Sequence, residues 1–411
     1  MHTTFWSMHF FIGGFMKILL INHFPLTGSG SGVYTNNLAN SLKALGHEVC
    51  IIFPENELVE PNNDIKLHPV YFNTEDVPFN FPCFTTHPRS IQTFYSLTGE
   101  QKDKYKDLFA SAIEQEIREF EPDIIHTGHI WTLADIAGSY DIPLIITAHG
   151  TDLIGYNKSL EYRNDAYSAF EKASKAITIS KDNKTLVDQI YGEGKSMLIA
   201  NGYDPNVFYK EDVDRKEFLK KFGIMRDYKH IVSFAGKFTE EKGIDTLIKA
   251  AKLYENNDTL TILAGNGEMF EKMNDLVDKL EVKNLIFIKN QPHEILRKLY
   301  NLADVSIVPS RQEAFGLVVV EAMACGTPVI GSNTGGIPDI INNNVGVLID
   351  VDDYKNLANE ITLVINGTKT FDSNHIAKYA LDKYSQEQFT KMVIDVYEEV
   401  IENQKRRSQK I

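Results

Sequence analysis

The chain has 411 residues, which at roughly 100–200 residues per domain allows two or three domains, each with its own core. Lys and Arg number 42 against 56 Asp and Glu, a net charge of −14. So acidic a chain is a poor candidate for wrapping nucleic acid, and any anionic ligand needs a local basic site. Three cysteines, Cys50, Cys83 and Cys325, with no CxxC pair, argue for free thiols in a reducing cytosol and against a disulfide framework.

Residues 1–15 are aromatic-rich and apolar and precede Met16-Lys17-Ile18-Leu19-Leu20, a natural start. They lack a basic n-region and an Ala-x-Ala site, so they read as an extension outside the core fold and not as a signal peptide. Peripheral contact with a membrane is the second reading. No apolar run reaches the ~20 residues of a membrane-spanning helix.

From there, short apolar runs alternate with helical patterns, the mark of βαβ units and a parallel sheet. Residues 17–22 read as a strand, followed by a glycine-rich turn (Gly28-Ser29-Gly30-Ser31-Gly32) and a helix over 33–45 that stops at Gly46. Further strands are expected at 48–53, 123–126, 144–147, 176–179 and 196–199, with Ser180 as an N-cap. The stretch 72–108 breaks the rhythm with Phe72, Phe79, Phe81, Phe84, His87, Arg89, Phe94 and Tyr95, and reads as a functional or covering insert. A polar linker is expected near 200–215. The rhythm then restarts, with strands at 231–235, 259–264, 285–288, 305–308 and 328–331, helices over 244–254 and 318–324, and a last helix over 386–403 before a basic tail. The predicted organisation is therefore α/β. A Rossmann-like domain over 16–203 carries the insert, a second such domain spans 204–385, and residues 386–411 return to the first as a crossover helix and tail.

Four stretches carry chemistry. The first is Glu313-Ala314-Phe315-Gly316-Leu317-Val318-Val319-Val320-Glu321, after a buried strand and the turn Pro309-Ser310-Arg311. Free N–H groups near Gly316 to Val318 make a positive helix end suited to a pyrophosphate, and the two acids can accept hydrogen bonds from sugar hydroxyls on either side of it. The second, Gly236-Lys237-Phe238-Thr239-Glu240-Glu241-Lys242-Gly243, puts two cations at a strand end, where they can lower the barrier to departure of a charged nucleoside diphosphate. The third, Thr147-Ala148-His149-Gly150-Thr151-Asp152, puts His149 at a strand's carboxyl end, where open α/β sheets bind ligands; Asp152 either orients a substrate or caps the next helix. The fourth is the glycine turn with Gly30 and Gly32, which is phosphate-friendly but is no GxGxxG fingerprint and lacks the ribose-binding acid of a nicotinamide site. Asp212-Val213-Asp214 and Asp350-Val351-Asp352 have DxD spelling, but neither follows a strand edge facing a site. His126 and His129 have no third ligand in sequence reach. No metal and no cofactor is expected.

These motifs, in this order, resemble the family 4 retaining glycosyltransferases of GT-B fold (glycosyl transferases group 1), from residue 16 to about 399. The resemblance implies two Rossmann-like domains facing across a cleft and transfer of a hexosyl unit, glucose or N-acetylglucosamine in type, from a UDP-linked sugar. It implies that Glu313 holds donor-sugar hydroxyls and Glu321 the ribose, while the amides of Ala314, Phe315, Gly316, Leu317 and Val318 meet sugar and phosphates. Lys237 and Lys242 would face the phosphates, with Lys237 standing where the family usually has Arg. The His149 carbonyl would face the anomeric carbon. Gly236, Gly267 and Glu268 would lie on the nucleotide side, with Asn201 at the interdomain turn. His87, Arg89, His129, Trp131 and Asp152 are candidates for the acceptor, which would be a small molecule, a glycan or a lipid-linked glycan. A cytoplasmic enzyme is expected; the sequence does not disclose its oligomeric state. A nucleotide-sugar 2-epimerase, or a nucleotide-sugar-binding protein that has lost catalysis, are the alternatives.

Overall fold

Runs of aliphatic and β-branched residues become parallel strands in both halves of the chain. The structure is a computed structural model describing residues 14–62, 64–84 and 87–409, so the reading of residues 1–15 as an extension lies, but for residues 14 and 15, outside the described residues. Two units emerge. The first takes residues up to 177, 187–197 and 390 onward; the second takes 178–186 and 198–389.

The first unit's sheet comprises β1 (Lys17–Ile21), β2 (Glu48–Glu55), β3 (Lys66–Tyr71), β4 (Ile124–Gly128), β5 (Leu144–Ala148), β6 (Lys175–Thr178) and β7 (Ser196–Leu198). Their order is β3-β2-β1-β4-β5-β6-β7. The second sheet comprises β8 (His230–Ala235), β9 (Thr259–Ala264), β10 (Leu285–Ile288), β11 (Val305–Val308), β12 (Val329–Ser332) and β13 (Gly346–Ile349), in the order β10-β9-β8-β11-β12-β13. Every residue of β4, β5, β9, β11 and β12 is buried, as expected for parallel strands covered by helices on both faces. The same order governs both sheets. Each reverses direction beside its first strand, between β1 and β4 and between β8 and β11, which is where such folds bind ligands.

Several elements differ from the sequence reading. β3 escapes pattern recognition because it is a half-buried edge strand containing Lys66, His68 and Pro69, a place where proline is tolerated. β13 is four residues long and follows an Asn-rich turn. The first helix begins earlier than expected and spans Gly30–Ala44, because Ser29 Oγ accepts the Gly32 N–H at 3.0 Å and so caps it. Within 72–108, residues from 99 on belong to a helix, Gly99–Glu119, started by a reciprocal Thr98–Gln101 capping box. Phe72, Phe81 and Phe94 in that stretch are fully buried, so it builds core. The last helix runs over Gln386–Ser408 and carries the basic residues in its final turn. His126 in β4 ties it to the first unit, with Nδ1 2.6 Å from the Tyr397 hydroxyl and Nε2 2.7 Å from Thr147 Oγ1.

Candidate active site

In the second unit, the loops leaving β8 and β11 meet at the switch point. The β8 loop is laced to the next one: Gly236 N–H donates to Ala264 O and Phe238 N–H to Asn266 O, at 3.0 and 2.9 Å. A Cβ on Gly265 would fall 1.9 Å from Gly236 O, and one on Gly267 2.4 Å from Phe238 O. Only glycine permits that approach. Phe238, fully buried, anchors the turn, which places Lys237 outward and exposed. The turn closes as a 3-10 segment over Glu240–Lys242. On the β11 side, Gly336 N–H donates to Glu313 O at 3.0 Å.

The outcome is a contact that sequence spacing alone does not reveal. Lys242 Nζ lies 2.6 Å from Glu313 Oε2, and Ser310 Oγ lies 3.4 Å from the same oxygen. Gly316, at φ 108°, caps the helix Leu317–Ala324. The first N–H groups of that helix have no intrahelical acceptor and form a positive end. Phe315 is buried against Tyr384, with ring centroids 6.1 Å apart, whereas Ala314 is exposed. Leu317 and Val318 are half-buried. Glu321, also half-buried, lies farther along the same helix, and removal from water pushes its carboxyl up to about 7. Gly267 and Glu268 lie on the loop beside the β8 turn, with Glu268 exposed. Asn201 is half-buried, and its Oδ1 has no partner among the described residues. The next residue, Gly202, sits so close to Gln386 that a Cβ there would lie 2.8 Å from the Gln386 Cα.

Sequence reasoning missed Arg311. Its Nη2 contacts Asp245 Oδ1 and Oδ2 at 2.8 and 3.0 Å and Asp352 Oδ1 at 2.8 Å. Its Nη1 donates to Glu240 O and its backbone N–H to Glu241 O, both at 2.7 Å. Burial would raise the Asp245 carboxyl, but Lys249 and Arg311 outweigh it and hold it below the usual range. The only sequence signal was Asp350-Val351-Asp352, whose last acid is an arginine partner. In the other DxD triplet, Asp214 caps the helix Arg215–Lys221 by accepting the Glu217 N–H at 3.0 Å.

In the first unit, the carboxyl ends of β1, β4 and β5 gather Asn22, His23, Gly128, His129 and His149. A Cβ on Gly128 would lie 2.8 Å from Asn22 Oδ1 and 3.6 Å from His149 Nε2. Asn22 Oδ1, His23 Nε2, His129 Nδ1 and His149 Nε2 have no partner among the described residues. His129 has φ 76°, a strained conformation for a non-glycine residue of the kind that recurs at functional sites. Burial lowers the His23, His126 and His149 imidazoles to about 3, so all three rings are neutral, and it lowers His129 well below its ordinary value.

The remaining sequence candidates are engaged locally. His87 Nε2 lies 3.0 Å from Thr27 O. Arg89 Nη1 pairs with Glu55 at 2.8 Å and Nη2 donates to Thr27 Oγ1 at 3.2 Å. Both therefore brace the glycine turn, where a Cβ on Gly28 would strike His87 Nε2 at 2.7 Å. A Cβ on Gly32 would lie 2.0 Å from Pro25 O, so that glycine serves close packing, while Gly30 is exposed. Asp152 is fully buried and accepts the Ile130 and Gly150 N–H groups, both at 2.9 Å; burial pushes its carboxyl up to about 6 against those bonds. Trp131 is fully buried and stacked on Tyr162 at 4.9 Å.

Two Rossmann-like sheets with loop clusters at their switch points define the class: a two-domain α/β fold. The profile for glycosyl transferases group 1 matches residues 214–407, and that for Glycosyltransferase Family 4 matches residues 28–207. The chain belongs to this family of GT-B glycosyltransferases and is a transferase enzyme. It is 28% identical over 417 aligned residues to an uncharacterised glycosyltransferase of Methanocaldococcus jannaschii, covering 94% of this chain and 99% of that one. It is 26% identical to the N-acetyl-alpha-D-glucosaminyl L-malate synthase of Bacillus anthracis, covering 84% and 87%. Among solved structures, Anabaena HepE in complex with UDP and glucose superposes with a TM-score of 0.72 at 18% identity, covering 93% of this chain and all of that one. No helix among the described residues is long and apolar enough to cross a membrane.

Proposed function

We propose that the chain transfers a hexosyl unit, glucose or N-acetylglucosamine, from a UDP-linked sugar to a hydroxyl acceptor, with retained anomeric configuration and without a metal. The observation that carries this reading is the Lys242–Glu313 contact beside the Gly316 helix end. A cation and a row of free amides suit a diphosphate, and the adjoining carboxylate suits hexose hydroxyls. The donor displaces the ammonium from the carboxylate, so that Lys242 turns to phosphate and Glu313 to sugar, with Lys237 as a second cation. HepE, whose structure holds UDP and glucose, and the glucosaminyl malate synthase favour a UDP-linked glucose or N-acetylglucosamine.

In the reaction, the bond from the anomeric carbon to the phosphate oxygen breaks on the face where the acceptor oxygen attacks. The leaving phosphate takes the acceptor's proton. Charge develops on that phosphate, where Lys242, Lys237 and the amides of Leu317 and Val318 stabilise it. Metal independence is supported by the pairing of Asp352 with Arg311 and by the capping role of Asp214. Glu313→Ala lowers donor turnover roughly 100-fold or more, on the scale of a lost transition-state contact, and leaves the melting temperature within a few degrees. The check is release of UDP from UDP-glucose and UDP-N-acetylglucosamine, with and without a chelator. Full turnover in the variant contradicts the donor role; loss of wild-type turnover in chelator contradicts metal independence.

A further inference from the structure

We propose that Arg311 is a positioning residue for Lys242: the Asp245–Arg311–Asp352 clamp fixes the turn that aims the Lys242 ammonium at the donor's diphosphate. The inference rests on the phosphate role given to Lys242 above. Arg311 grips the chain on both sides of that lysine. Upstream, its Nη1 and backbone N–H hold the carbonyls of Glu240 and Glu241, each at 2.7 Å. Downstream, Nη2 holds both oxygens of Asp245, in the first turn of the helix Ile244–Tyr254. Between these grips lie only Lys242, Gly243 and Ile244. Gly243 sits at φ 60°, where a Cβ would fall 2.0 Å from Pro309 O, so the turn lies flat against the β11 loop that carries Glu313.

The last partner arrives from the edge strand β13. Asp352 follows β13 and has φ 63°, an uncommon conformation for a non-glycine residue. It accepts from Thr246 Oγ1 at 3.0 Å while its carboxylate meets Arg311. Lys249 completes the group at 2.8 Å from Asp245. Two acids and two bases cancel, so the clamp holds the turn without placing net negative charge beside a site for an anion. A planar fork is needed to reach two carboxylates and a carbonyl at once. Lysine, a single point charge, cannot do so, which makes Arg311→Lys a charge-conserving test.

The test measures UDP affinity by calorimetry for wild type, Lys242→Ala, Arg311→Lys and the double variant, with binding of uridine, which has no phosphate, followed by NMR. Both single changes weaken UDP about tenfold, the scale of one charge-assisted phosphate contact. The double variant binds UDP no more weakly than Lys242→Ala alone, the non-additivity expected when one residue acts through the other. Uridine affinity stays within twofold in all four proteins. Equal losses from Arg311→Lys with and without Lys242, no loss at all, or a parallel loss of uridine overturns the proposal. Unchanged UDP affinity in Lys242→Ala instead removes the phosphate role on which the proposal rests. If Arg311→Lys fails to fold, Asp352→Asn takes its place with the same expected pattern.

Discussion

Glu321 is the residue at which the proposed donor site acquires a dependence on pH. Its carboxyl is pushed up to about 7 by removal from water, so near neutrality it is only partly ionised. The raised value means that the folded chain holds a proton the unfolded chain releases, and ionising Glu321 costs stability as pH rises from the ordinary carboxylate range through 7. With Glu321 on the donor's ribose, as the family resemblance implies, the ionised form accepts the hydroxyl pair best and donor binding strengthens over the same interval. UDP-glucose, whose diphosphate has no ionisation there, binds up to roughly tenfold more tightly at pH 8 than at pH 6 to wild type and with a flat profile to Glu321→Gln. Calorimetry across that range checks it, and a rise that persists in the variant contradicts the role. Glu313 and Glu321 were legible in the sequence because a buried strand, a loop and a helix start frame them around Gly316. Arg311 was not, because the three partners of its side chain lie 66, 71 and 41 residues away, and only the folded sheet brings them together.

Among elements, the strand ends of the first unit carry four neutral histidines, His23, His126, His129 and His149. All four are depressed by burial. Below about 6.5 the unfolded chain takes up protons that the folded chain refuses, so their contribution is complete above that pH and is lost as pH falls, by about 1.4 kcal/mol per unit for each ring. Thermal melting between pH 7.5 and pH 5 is expected to fall with pH, and less steeply by one proton in His126→Gln. A melting temperature unchanged down to pH 5 contradicts the burial. Sequence periodicity found the strands that bear these rings because their neighbours are uniformly apolar. It missed β3, an edge strand interrupted by Lys66, His68 and Pro69, and β13, a short run that opens on Gly346 after three asparagines. It also took the aromatic stretch after residue 71 for a separate insert. There, Phe72, Phe81 and Phe94 pack as core, and the Thr98 capping box begins a helix.

At the scale of the whole molecule, each unit repeats one topology, and each repetition ends in a loop cluster beside its first strand. The repeat was visible as a rhythm of apolar runs, and the glycines marked the loops. What sequence could not supply was the partner of each charge: Lys242 on Glu313, Arg89 on Glu55, Asp152 on backbone amides. The most direct test is a crystal structure of the chain with UDP-glucose. The diphosphate is expected within hydrogen-bonding distance of Lys242 Nζ and the Leu317 and Val318 amides, with Glu313 parted from Lys242 and bound to hexose hydroxyls. A diphosphate bound elsewhere, with the Lys242–Glu313 contact still closed, contradicts the donor site.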